Sequence, residues 1–167
     1  MALIRILKNW DWPDLMRQSP CHEGVWDGLE FTTDPVDSCD YVLVLNHPVR
    51  DVAVRCPPGH VWAIMQEPPN EYFGVAHRGN QSLSRIYTTD SSLRGKRYVH
   101  SQPALPWHVN RSYDELVACG TPRKETKLSW ITSNIAAFEG QRARLRFLEQ
   151  IRDTIEFDLF GRGFQYI

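Results

Sequence analysis

Residues 127–167 read KLSWITSNIAAFEGQRARLRFLEQIRDTIEFDLFGRGFQYI, and the alternation of apolar runs and breaks in this stretch sets the fold class. Leu128 to Thr132 is an apolar run that breaks into Ser133-Asn134. A segment of helical period follows, with Ala143, Phe147 and Ile151 on one stripe that Leu145, Leu148 and Ile155 broaden. A second apolar run, Phe157 to Phe160, closes on Gly161-Arg162-Gly163. Strand, polar turn, helix, strand and glycine turn is the grammar of a parallel α/β unit. Such units hold ligands beyond the carboxyl ends of their strands, which makes Ser133, Asn134, Gly161, Arg162 and Gly163 candidate binding residues. Most arginines of the helix read as a solvated face. Arg142 and Arg144 differ, because they lie near the amino end, where free N–H groups and the helix dipole favour an anion that a guanidinium can grip.

The same pattern recurs upstream. Asp40 to Leu45 is an apolar run without alternation, as expected of a strand covered on both faces, and it ends in Asn46-His47. Val61 to Met65 runs into Gln66-Glu67-Pro68-Pro69. Ser84 to Thr88 ends in Thr89-Asp90, and Tyr98 to His100 leads into a Pro- and Trp-rich loop, Gln102 to Asn110. Ile4 to Leu7 and Gly28 to Thr32 read as two further strands, with His22 to Asp27 as a loop between them. Asp11 is placed to cap a helix whose first turn holds Pro13. Ser112 and Glu115 form a capping box opening a short helix to Cys119. Gly120 to Glu125 has linker composition. The expected architecture is α/β. A Rossmann-like domain with a mostly parallel sheet occupies residues 1–123, and residues 124–167 form the first strand-helix-strand of a second Rossmann-like domain.

Composition narrows the function classes. The 167 residues are 42% hydrophobic and carry 19 basic and 20 acidic side chains, so a core is available and a basic excess for nucleic acid is not. No apolar run approaches the roughly 20 residues of a membrane helix, and MALIRILKNWDW turns polar too soon for a secretory leader. The expected location is therefore cytoplasmic, with a peripheral membrane association left open. Cys21, Cys39, Cys56 and Cys119 have no ligand spacing and no His60 or His77 partner, so no metal is assigned. Gly161-Arg162-Gly163 is too short for the dinucleotide fingerprint. Ser91 and Ser92 lack a nucleophile-elbow context.

The closing segment resembles the fucosyltransferases of glycosyltransferase family ten. The likeness rests on a strand ending in Ser133-Asn134, on Ala143-Arg144-Leu145-Arg146-Phe147 opening a helix, and on a strand ending in Phe160-Gly161-Arg162-Gly163-Phe164. It extends upstream to Val61 to Met65 running into Gln66-Glu67-Pro68-Pro69-Asn70. The resemblance implies a two-domain GT-B enzyme that moves a sugar, with inversion, from a nucleotide donor such as GDP-fucose to a glycan hydroxyl, without a cofactor. It implies Glu67 as the catalytic base, with Asp90 and His47 as alternates on neighbouring strands. Ser133, Asn134, Arg142, Arg144, Gly161, Arg162 and Gly163 then face the donor. Acceptor sugars are usually held by aromatic faces and polar side chains, which points to Asn46, His47, Tyr72, Asp90 and Trp107, with Phe73 and His108 beside them. The family's Phe-Glu-Asn-like run and Thr-Glu-Lys-like motif do not occur, so the expectation is an acceptor-side domain plus the opening of the donor domain. The rest of that donor domain is then the partner the chain lacks, and the chain alone is expected to be inactive. The competing expectation is a non-catalytic α/β binding or scaffolding module.

Overall fold

The computed structural model describes residues 1–69, 80–105, 110–124 and 128–164. The chain forms two compact units, Met1–Gly120 and Thr121–Ile167. The first is a seven-stranded sheet: β1 Ala2–Leu7, β2 Val25–Trp26, β3 Leu29–Thr32, β4 Tyr41–Leu45, β5 Val61–Ile64, β6 Arg85–Thr88 and β7 Tyr98–His100. Its spatial order is β2-β3-β1-β4-β5-β6-β7. Every neighbouring pair is parallel except β2 with β3. The protein is thus α/β with a mixed, mostly parallel sheet of Rossmann-like type.

Register explains which face carries the core. Val42 lies opposite Val61, Val44 opposite Ala63, and Ala63 opposite Ile86, so one face presents a continuous row of small and branched side chains. Ala63 and Ile86 are completely buried, and Met65, Leu83 and Cys39 close over them. Arg5 shares this buried environment, where its guanidinium donates to the Val36 carbonyl at 3.3 Å. The other face of the central strands is aromatic and only partly covered. The Tyr41 ring stacks on His60 with centroids 4.3 Å apart and meets Trp62 edge-on at 5.1 Å, and Trp62 lies 6.1 Å from Tyr87.

Two local expectations are corrected. Asp11 does not cap a helix around Pro13. Asp14 is the cap, its Oδ1 accepting the Met16 N–H at 3.0 Å, and the segment makes only a short 3₁₀ turn, Leu15–Gln18. Pro20 lacks the N–H that a continuing helix would need. The His22–Asp27 loop contains a strand, β2, paired antiparallel with β3. Asp27 and Gly28 connect them with φ of 46° and 78°, the two positive angles that a tight Asp-Gly hairpin requires.

The helix α1, Tyr113–Ala118, opens on the expected capping box. Ser112 Oγ accepts the Glu115 N–H at 3.3 Å, and Glu115 Oε2 accepts the Ser112 N–H at 2.6 Å. Asp114 accepts the Cys21 N–H at 2.9 Å, and Tyr113 meets Trp26 edge-on, which ties α1 to the turn at Cys21 and to β2. The bond from the Ser112 backbone, aided by the Ser112 side chain and then by Arg17, holds the Glu115 carboxyl below its ordinary value. The ionised form is the bonded one. Its contribution is therefore complete above the ordinary carboxyl range and disappears as pH falls through the lowered value. Glu115→Gln should flatten that part of the acid limb, read as urea midpoints across acidic pH in wild type and variant. An acid limb unchanged by the substitution would contradict this.

The second unit is small: β8 Ser129–Ile131, α2 Glu139–Ile151 and β9 Asp158–Phe160, with β8 and β9 parallel. Trp130 and Leu159 lie opposite each other on the better-covered face, and Trp130 reaches Phe147 of α2 at 5.7 Å. Ile131 and Phe160 lie on the other face and are 79% and 42% exposed. Among the described residues of this unit, Leu148 is the one buried apolar side chain. Two strands and one helix are too few to make a self-sufficient core.

Candidate functional site

The strand order reverses between β1 and β4. The chain runs from β1 outward to β3, then crosses to β4 on the other side and proceeds through β5, β6 and β7. In open α/β sheets the connections leave in opposite directions at such a point, and the crevice at the carboxyl ends there holds ligand. Asn9 follows β1 and His47 follows β4, and their side chains meet across this crevice, Asn9 Nδ2 lying 3.3 Å from His47 Nε2. A cavity of about 420 Å³ opens beside them, lined by Leu7, Val44, Asn46, His47, Pro48 and Asp51 among others.

The next strand end continues the edge. Asn46 is in the left-handed region, with φ 61°, and is buried. Its backbone N–H donates to Ile64 at 2.9 Å, and its Oδ1 accepts the Gln66 N–H at 2.8 Å. Its Nδ2 donates to Gln66 Oε1 at 3.4 Å, and Gln66 Nε2 donates in turn to the Ala104 carbonyl. Gln66 is buried and Glu67, the next residue, is exposed. Glu67 is therefore not desolvated as a buried general base would be. The Met65 and Gln66 side chains point into protein, and the chain turns its first charged side chain to solvent on leaving the sheet.

Farther along, Asp90 is engaged locally: its Oδ1 accepts the Ser92 N–H at 2.9 Å and the Ser92 hydroxyl at 2.6 Å, closing the turn after β6. His100, exposed at the end of β7, approaches the Leu93 carbonyl at 3.2 Å. The structure thus gathers Asn46, His47, Glu67 and Asp90 along one edge. Tyr72, Phe73, His77, Trp107 and His108 lie outside the described residues.

In the second unit the two carboxyl-end loops come together. The Asn134 N–H donates to the Arg162 carbonyl at 3.0 Å, and Asn134 Nδ2 to the Gly163 carbonyl at 3.4 Å. A Cβ on Gly161 would lie 1.6 Å from the Thr132 carbonyl oxygen, so only glycine permits this approach. Arg144 Nη2 donates to the Ser133 carbonyl at 3.3 Å, while its Nε is buried with no partner among the described residues. Arg142 is committed elsewhere, donating to the carbonyls of Ala136 and Ala137 and pairing with Glu139 at 3.0 Å. The salt links from Arg146 and Arg142 hold the Glu139 carboxyl below its ordinary value. Phe138, at the N-cap position, has no side-chain oxygen to give the first turn of α2.

All four cysteines are free. Burial, and then the neighbouring Cys39, push the Cys56 thiol up, the opposite of a poised nucleophile. No group of three or more His, Cys, Asp or Glu among the described residues could hold a metal ion. No helix among them is long and apolar enough to cross a membrane. Sequence reasoning missed Asn9 and Gln66. Gln66 follows directly on the apolar run Val61 to Met65, and Asn9 is separated only by Lys8 from the run that ends at Leu7, which is the available signal.

The first unit belongs to the class of open, mostly parallel α/β sheets with a switch point at β1 and β4. No family model, curated protein or solved structure matches the chain.

Proposed function

We propose that this chain is the acceptor-side part of an inverting, GT-B-like glycosyltransferase, with GDP-fucose as the donor, followed by the opening unit of its donor domain. One observation carries the reading: polar and titratable side chains from successive parallel strands, His47, Gln66 and Glu67, gather at a switch-point edge. In the proposed reaction Glu67 takes the proton of an acceptor hydroxyl as its oxygen bonds to the anomeric carbon. The bond from that carbon to the diphosphate breaks on the opposite side, and GDP leaves. Ser133, Asn134, Arg144 and Gly161 to Gly163 would shape the wall that meets the nucleotide. The Arg144 Nε, which has no partner among the described residues, and the amino end of α2 support an anion there. Arg142 would stiffen the approach to α2 through Glu139.

A non-catalytic binding module remains the second reading, favoured by the exposure of Glu67. A thermal-shift panel of nucleotide sugars against the parent protein, including the proposed remainder of its donor domain, separates the two. The transferase reading expects GDP-fucose to raise Tm more than UDP sugars do. No shift with any nucleotide sugar would leave the binding module.

A further inference from the structure

We infer that Asn46 and Gln66 are positioning residues: a two-amide relay that fixes Glu67 and the segment after β7 in one register along the carboxyl edge. The functional part of this inference rests on the transferase reading above; the relay itself does not. Three strand ends are involved, and backbone groups dictate the orientation at both ends of the chain of bonds. The Gln66 N–H requires an acceptor, so Asn46 presents Oδ1 to it at 2.8 Å. The Asn46 amide nitrogen must then face Gln66, and it donates to Oε1 at 3.4 Å. That leaves Gln66 Nε2 to meet a carbonyl, and Ala104 supplies it. Every polar atom of the two carboxamides that takes part has a matching partner, and both residues are more than nine-tenths buried. In such surroundings an unmatched amide costs free energy, so the arrangement has one low-energy state.

The relay crosses sequence distances that no local turn spans. Asn46 and Gln66 are 20 residues apart, and Gln66 and Ala104 are 38 apart. The backbone conformation of Asn46 is part of the device, since φ of 61° turns the chain out of β4 while aiming the side chain back along the edge. Asn tolerates this region better than most residues. Glu67 is bonded covalently to the middle of the relay, and the segment Gln102 to Leu105 is held at its far end through Ala104. A shift of either would therefore move both.

Gln66→Glu tests this with an isosteric change. A protonated acid can accept from Asn46 Nδ2 through its carbonyl and donate to Ala104 through its hydroxyl. A carboxylate can only accept, and it faces the Ala104 carbonyl oxygen. Amide chemical shifts and exchange of Ala104 and Leu105 are followed by NMR in the full 167-residue chain across pH. Wild type carries the same Lys8, His47, Glu67, Asp90 and His100 and serves as the control for their titrations. The expected result is that Gln66→Glu matches wild type at low pH and loses protection at Ala104, Leu105 and Glu67 at least tenfold as the new carboxyl ionises. The amides of β8 and β9 stay unchanged. Gln66→Met, which cannot relay at any pH, should show the loss throughout. Ala104 and Leu105 shifts that ignore the Gln66→Glu titration, or that Gln66→Met leaves as in wild type, would overturn the relay. In the parent enzyme Gln66→Glu should then lower kcat with rising pH while KM for the nucleotide sugar holds. An unaltered kcat profile alongside a broken relay would overturn the positioning role. If the NMR signature appears and wild type turns over no nucleotide sugar, the transferase reading fails while the relay stands.

Discussion

On the proposed transferase reading, Glu67→Gln in the parent protein should lower kcat for sugar transfer by about 10²–10⁴-fold, the usual contribution of a positioned general base. The amide keeps the shape of the side chain but cannot take the acceptor proton. Because Glu67 is exposed and Gln66 carries the structural bonds, the substitution should leave the unfolding free energy within about 0.5 kcal/mol of wild type, as for surface changes in general. KM for the donor should be nearly unchanged. Steady-state kinetics with thermal denaturation on the same preparations checks both. Turnover unchanged by Glu67→Gln would remove this residue from the chemistry and turn attention to His47 and Asp90.

The second large effect concerns the other unit. Gly161→Ala should disrupt the β8–β9 pair. Gly161 has φ 129°, where an L side chain is strained, and a Cβ there would fall 1.6 Å from the Thr132 carbonyl oxygen. Backbone strain of this kind costs roughly 1–3 kcal/mol, and overpacking against rigid backbone adds about 1–3 kcal/mol. A unit with so little buried apolar surface cannot absorb that. Hydrogen exchange at Trp130 to Thr132 and Leu159 to Phe160 should accelerate by at least tenfold, with β4 and β5 unaffected. Gly140→Ala is the contrast. Nothing lies within 4 Å of a Cβ built there, inside α2, and the substitution should stabilise the helix by about 1 kcal/mol. Gly161→Ala with native exchange at β8 and β9 would contradict the close approach that joins the two loops.

Much of this architecture is legible from residue order, for reasons that differ by element. Tyr41–Leu45 announces itself because a strand with both faces covered needs no alternation. Ser112 and Glu115 announce α1 because the capping box is a local device that tertiary contacts do not override. The hairpin of β2 and β3 was also legible. Asp27-Gly28 is a strong turn signal, but two residues of strand are too short to show a period, so the segment before it reads as loop. The failure at Asp11 is of another kind. Asp11 and Asp14 flank Trp12-Pro13, both are competent caps, and only the chain's path settles which one meets a free N–H. The site follows the same division. Strand ends can be read from where apolar runs stop, which yields His47, Glu67 and Asp90. What sequence cannot supply is strand order, and with it which ends are neighbours. Asn9 and His47 are 38 residues apart and meet because β1 lies beside β4. The engagement of Arg142 with Glu139 and two carbonyls was equally invisible, since helical spacing alone allows it to face either the pair or a ligand.

On the proposed reading the carboxyl edge of the seven-stranded sheet recognises an acceptor sugar. The most direct measurement is an amide-shift titration of the 167-residue chain with a panel of neutral oligosaccharides. Saturable shifts are expected at Asn9, Asn46, His47, Gln66, Glu67 and the segment from Gln102 to Leu105 and nowhere else. Shifts confined instead to the aromatic face at Tyr41, Trp62 and Tyr87, or no saturable shift at the carboxyl edge with any sugar, would contradict it.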